Sequence, residues 1–143
     1  MATWHEFESE AAELAGEVRR VLEAEESHVL ATIRQDGSPR VSGIEVAFRG
    51  EELTIGSMFG AVKARDLRRD GRFALHSHPG DSGDAKLSGI AVAMDPDEGP
   101  ARDHDLFRFD LLQAVFVRVG DDHEHLLIRT WQPGQPVRAV RRY

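Results

Sequence analysis

Residues 52–78 read ELTIGSMFGAVKARDLRRDGRFALHSH, and this stretch changes character twice. Glu52 to Ser57 is short and rich in β-formers, which predicts a strand. Ala61 to Arg69 has helix-forming composition, with Val62, Ala64 and Leu67 as its buried side. Asp70-Gly71 ends that helix. Arg72 to His78 then alternates as a strand. Five basic residues, Lys63, Arg65, Arg68, Arg69 and Arg72, fall within residues 60–72 of a chain whose formal net charge is −7. An acidic protein has concentrated its positive charge around one short inserted helix.

The flanking sequence supplies more strands. His28 to Arg34 and Val41 to Phe48 are rich in β-formers and are separated by the turn signal Gln35-Asp36-Gly37-Ser38, so residues 28–48 read as a hairpin. Arg49-Gly50-Glu51 is a further turn before the strand at Glu52. Downstream, Pro79 to Asp84 is a polar loop and Ala85 to Met94 a strand. Asp95 to Asp105 is an acidic, proline-containing connection or short helix. Leu106 to Val119 is a long buried strand, Gly120-Asp121-Asp122 a turn, and His125 to Trp131 a last strand. The tail from Gln132 is Pro/Gly-rich and basic. Ahead of all these, Trp4, Phe7, Ala11, Leu14, Ala15, Val18, Val21 and Leu22 form one helical apolar stripe. Thr3 is its N-cap, with Glu6 at capping-box distance. The sum is a mainly β (α+β) fold of about six or seven antiparallel strands, an N-terminal helix and a short inserted helix. Short connections exclude a parallel sheet and favour a closed or partly closed barrel.

With 143 residues the chain is read as one domain, 1–143, with room for one core. The composition, 41% hydrophobic and 30% charged, is that of a water-soluble protein. No apolar run approaches the roughly 18 residues that span a bilayer, and the acidic N-terminus lacks signal-peptide features, so the expectation is a cytoplasmic protein without a membrane partner. The absence of cysteine excludes disulfides, thiolate metal sites and a thiol nucleophile. The acidic balance argues against a nucleic-acid partner.

The entrance to the inserted helix has the chemistry of an anion site. The first turn of a helix presents free backbone N–H groups and the positive end of the dipole. Gly60 lets an anion approach the backbone, Lys63 lies in the first turn, and Ser57 brings a hydroxyl at the strand end. Arg65 and Arg68 offer planar forks for further phosphate oxygens. The alternative is a solvated helix face, with Asp66 paired to Lys63 on one side and Arg69 on the other.

The order of these features resembles the split β-barrel superfamily of flavin and deazaflavin proteins named for pyridoxamine 5'-phosphate oxidase. The residues that carry the resemblance are Asp36, Gly37 and Pro39 in the first turn, then Lys63, Leu67, Arg68, Arg69, Asp70, Gly71 and Arg72. It covers roughly residues 26–94 and looks closest to small actinobacterial members, several of which use the deazaflavin F420 in place of FMN. The resemblance implies a homodimeric split β-barrel that binds FMN or F420 between subunits and transfers hydride to or from a small organic substrate. It implies that Lys63 holds the cofactor phosphate beside Ser57 and Met58, and that Val41, Ser42 and Gly43 run against the ring. Many relatives carry an arginine where this chain has Val62; Arg40 or Arg65 is the available substitute. The alternative on the same fold is a non-catalytic protein that binds flavin, F420 or haem.

His76 and His78, and the run Asp121-Asp122-His123-Glu124-His125, have metal-ligand chemistry. The second run falls in a turn where polar residues are expected, and no metal is assigned. His76 or His78 is a candidate for the cofactor groove. Trp131 and Tyr143 are candidates to cover a ring, with core or dimer packing favoured for Trp131. No catalytic side chain is identified, because the hydride chemistry belongs to the cofactor.

Overall fold

A computed structural model describes residues 1–94 and 104–143. The helices are α1 (Trp4–Glu10), α2 (Ala12–Ala24) and α3 (Val62–Arg69). The strands are β1 (His28–Ile33), β2 (Pro39–Ile44), β3 (Val46–Arg49), β4 (Glu52–Met58), β5 (Arg72–His76), β6 (Asp84–Met94), β7 (His104–Val119), β8 (Leu126–Trp131) and β9 (Arg138–Arg142). All pairings are antiparallel, in the order β2-β1-β5-β6-β7-β4-β3, with β8 added to β7 and β9 to β8. The ends of this path curl toward each other: β2 and β4 come into contact without pairing. That unpaired seam makes the barrel a split one.

The mainly β fold and its inserted helix match the sequence reading, with four differences of detail. The expected strand Val41–Phe48 divides at Glu45, where β2 leaves one half of the barrel and β3 begins in the other. The strand ending at Trp131 is not the last: within the basic tail β9 pairs with β8 from Arg138 to Arg142. Nine strands are therefore present among the described residues. The N-terminal helix breaks at Ala11, whose φ of −142° and ψ of 59° are not helical. Both halves still bury the one apolar stripe, α1 over β4 and β7 and α2 over β6 and β7, so the break lets that stripe follow a curved sheet. Thr3 does cap α1, its hydroxyl accepting the Glu6 N–H at 3.1 Å. The connection expected over Asp95 to Asp105 lies outside the described residues except at its end, where β7 has already begun.

Alternation decides which side of the sheet is wet. In β1, His28, Leu30 and Thr32 face the barrel interior, while Val29 and Ala31 face out. The interior is aromatic: Phe7 lies 4.5 Å from Trp131 between ring centroids, and Phe73 stacks on Phe109 at 4.0 Å. Trp131 is fully buried, so it is a core residue. β6 and β7 stay in register to Gly89, where the pairing shifts by one and Leu112 is the extra residue of a bulge. Only glycine fits opposite that bulge, because a Cβ at Gly89 would lie 1.9 Å from the Asp110 carbonyl oxygen.

Gly89→Ala is therefore expected to cost about 3 kcal/mol or more, in the range of severe backbone clashes. Gly16→Ala, in α2 with nothing within 4 Å of the new methyl, is expected to gain about 0.5–1 kcal/mol. Urea unfolding of the two variants beside the parent chain checks both signs.

Candidate functional site

The seam between β2 and β4 is an open groove of about 500 Å³. Its walls are Gly43 to Glu45 from β2 and the chain after it, Gly56 to Met58 from β4, and Ala61 and Lys63 from the start of α3. Lys63 spans the seam, its Nζ donating to the Gly43 carbonyl at 2.7 Å. No side chain caps α3. Its first amides, Val62 and Lys63, are unable to bond within the helix and open toward the same end. Met58 and Phe59 form an exposed apolar lip, 81% and 73% accessible.

The neighbouring basic residues are largely committed elsewhere. Arg69 donates to Asp66 at 3.1 Å and to the Ile33 carbonyl at 2.5 Å. Arg72 pairs with Asp70 at 2.7 Å, and that hydrogen bond, above all other influences, holds the Asp70 carboxyl at about 2. Arg68 pairs with Asp105, whose other oxygen accepts the Gly60 N–H at 3.2 Å. The Gly60 amide, expected to be open to a ligand, thus faces an internal carboxylate. Arg65 is exposed and meets no carboxylate among the described residues, but it does not line the groove. Arg40, a possible replacement for the missing arginine at Val62, is bound to Asp66 at 2.8 Å. Lys63 is left as the basic side chain of the groove.

Of the expected ring-facing residues, Val41 and Gly43 lie on the outer face of β2, with Val41 72% exposed. Ser42 pairs with buried Leu30 and points inward, so it presents only backbone to that face. The groove brings together Ser57, Met58, Gly43 and Lys63 as the sequence suggested. Ser27, Glu45, Gly56 and Ala61 were not foreseen. Gly43 approaches Ser27 across a fold of chain, and no local pattern announces that contact.

A family model described as pyridoxamine 5'-phosphate oxidase matches residues 14–109. The chain belongs to the pyridoxamine 5'-phosphate oxidase family. No curated protein matches its sequence. Among solved structures, PhzG from Burkholderia lata 383, in complex with tetrahydrophenazine-1-carboxylic acid, is similar with a TM-score of 0.69 at 13% identity, over 93% of this chain and 92% of that one. A pyridoxamine 5'-phosphate oxidase-related, FMN binding protein from Nostoc punctiforme PCC 73102 gives 0.68 at 10% identity, over 96% and 97%. A protein related to general stress protein 26 from Clostridium acetobutylicum gives 0.63 at 10% identity, over 81% and 92%. At these identities the likeness is one of fold.

In this member of the pyridoxamine 5'-phosphate oxidase family, His28 is buried and both its nitrogens are used. Nδ1 accepts the His78 N–H at 2.9 Å, which leaves Nε2 to donate to the Leu22 carbonyl at 2.8 Å. It therefore has no lone pair to offer a haem. His76 donates from Nδ1 to the Ser77 carbonyl at 2.6 Å and faces the outer side of the sheet. His125 meets Asp122 at 2.7 Å within the turn before β8. No helix among the described residues is long and apolar enough to cross a membrane.

Asp66 anchors the whole arrangement. Its side chain is 2% exposed and accepts from Thr32 at 2.8 Å, from Arg40 and from Arg69. Burial pushes its carboxyl up, but the hydrogen bonds from Arg40, Thr32 and Arg69 outweigh burial and hold it below its ordinary 3.8. A depressed carboxyl contributes stability that is complete above the unfolded value and lost as pH falls through the folded one. Asp66→Asn is expected to cost about 2–3 kcal/mol near neutrality, since it leaves two partly buried arginines short of a charge. The gap from the parent chain should narrow as pH drops from neutrality through and below 3.8, as read by denaturant unfolding across that range.

Proposed function

We propose that this chain is an oxidoreductase that binds FMN or the deazaflavin F420, with the anionic tail in the seam groove and the ring along Val41 and Gly43. The observation that carries this reading is Lys63. It is an ammonium held at the mouth of an open groove with only a neutral carbonyl as partner, in a segment whose other cations are largely neutralised by carboxylates. A lysine in the first turn opposes the helix dipole unless an anion joins it there. The residues present fit a phosphate through Lys63 and the Val62 and Lys63 amides; the Ser57 hydroxyl, expected to join them, is buried and donates to the Met58 carbonyl at 3.4 Å. The FMN-binding relative from Nostoc punctiforme supports a flavin in this fold. When bound, the ring would supply hydride transfer to or from a small organic substrate. The chain's own contribution is to hold the tail and lay the ring against the outer face of β2.

Lys63 is the single basic side chain lining the groove among the described residues, and it would serve either cofactor. Val62 stands where an arginine would add a second cation, and Arg40 is already taken by Asp66. An FMN monoester concentrates its charge on one terminal phosphate, whereas F420 spreads charge over a phosphodiester and the carboxylates of its tail, so one groove cation does not decide between them. Side-by-side titration by fluorescence settles the choice. Lys63→Ala is expected to weaken the bound cofactor about ten- to hundredfold, the range of a charge-assisted hydrogen bond, with an unchanged unfolding transition. Unaltered affinity would remove the groove from consideration.

The reading takes residues 1–143 as one domain of a homodimer. Its support is an apolar outer face toward the end of the sheet, where Val119, Leu126 and Val140 are 53%, 40% and 55% exposed. Register places Val119 opposite Leu126 and Ile128 opposite Val140 on that one side. Such a patch fits a second copy. Sedimentation at micromolar concentration should give a dimer, and Val140→Asp should weaken it at least tenfold; a monomeric parent chain would refute the assembly.

A further inference from the structure

Two cross-strand rows run side by side over the outer face of the sheet. One is Val41, Ala31, Ala74, Ser88 and Gln113; the other is Gly43, Val29, His76, Lys86 and Val115. Together they floor a cavity of about 380 Å³ that begins beside the strip assigned to the ring. The near end is apolar and low, because Ala31 and Ala74 raise no side chain above their methyls. The far end is polar. Lys86, Ser88 and Gln113 have no protein hydrogen-bond partner among the described residues, and His76 keeps Nε2 unused. No aspartate or glutamate lines the cavity. The acid next along the same face of β6, Asp84, forms no ion pair with Lys86.

Partly exposed polar side chains gathered at one end of a mostly apolar hollow are the pattern of a small-molecule site, where a few polar groups fix orientation. Here the groups that only donate or readily donate are Lys86, Gln113 and Ser88, so the ligand atom they suit is an anionic oxygen. Lys86 is the sole full charge lining the cavity, and although its position is exposed it can give the anion a charge-assisted hydrogen bond. Two strand spacings separate Ala31 from Ser88, about 10 Å, which is the length of a fused two-ring acid. We infer that this cavity is the substrate subsite for a planar aromatic carboxylate, its rings over Ala31 and Ala74 and its carboxylate on Lys86 with Gln113 and Ser88. The inference rests on the proposed redox function only in calling the ligand a substrate; the binding chemistry stands on the cavity itself.

The test uses the purified full chain and two probes of one shape, 2-naphthoate and 2-naphthamide, followed by calorimetry and by amide chemical shifts. The parent chain should bind the naphthoate at least tenfold more tightly than the amide, with shifts at Ala74, His76, Lys86 and Gln113. Lys86→Met, at an exposed position, should reduce the naphthoate to the affinity of the amide while FMN or F420 binding stays within twofold. Lys63→Ala should leave the naphthoate unaffected. Equal binding of the two probes by the parent chain, absence of binding, or a carboxylate preference that survives Lys86→Met would overturn the subsite. Failure of the cofactor titration with the naphthoate preference intact would instead remove the redox reading and keep the site.

Discussion

The geometry of the seam depends on one buried carboxylate. Asp66 receives Thr32 from β1, Arg40 from β2 and Arg69 from its own helix, so three elements meet on two oxygen atoms. A short helix of eight residues has little stability of its own and needs such tertiary attachment to stay in place. With α3 clamped at Asp66, Lys63, three residues earlier and on the same side of the helix, reaches across to Gly43. Remove the clamp and the lysine has no fixed relation to β2. The barrel can remain unzipped at this point because the clamp substitutes for the ladder hydrogen bonds that β2 and β4 do not make.

The same arrangement explains why an acidic chain concentrates arginine here. Arg68, Arg69 and Arg72 each answer a local carboxylate, and Arg40 joins from the neighbouring strand. These pairs are structural, and the more exposed of them contribute little individually to stability. Their consequence is selective. By neutralising most of the segment, they leave the field at the groove dominated by Lys63 and by the open end of α3. Asp105, seated on the Gly60 amide, also confines any bound anion to the β2 side of the helix start.

Much of this was legible in the residues and some was not. The strand–helix–strand run at 52–78, the first hairpin and the long strand of β7 carry their own periodicity and turn chemistry, so they could be read locally. Lys63, Ser57, Met58 and Gly43 were found as groove residues because a strand end, a glycine and a helix start form a continuous segment, and the family pattern supplied β2. Ser27 and Asp105 were not found, since Ser27 reaches the groove, and Asp105 the Gly60 amide and Arg68, only after the sheet has curled. Arg65 and Arg68 looked equivalent to Lys63 by composition; helical spacing turned Arg65 outward, and Asp105, 37 residues beyond Arg68, claimed that side chain. The break at Ala11 arises from packing against strands remote in sequence, and the strand Arg138–Arg142 from pairing with β8 across a Pro/Gly-rich turn that hid it. Local propensity does not encode such contacts.

The strand β2 couples the seam groove to the outer cavity. Its Gly43 carbonyl fixes the lysine at the seam, while Gly43 and Val41 open the two rows that lead to Lys86 and Gln113. A tail held at one end of this strand therefore sets where a ring lies relative to the outer cavity. Because the side-chain period of a strand is two, a slip of one residue in β2 would turn Ser42 outward and bury Val41, ending that alignment. The register is held from both sides: Arg40 reaches inward to Asp66, and Ile44 enters the core. The inward alternation of Arg40, Ser42 and Ile44 thus does as much for the outer face as the residues displayed there, and the site's position is a consequence of the core's pattern.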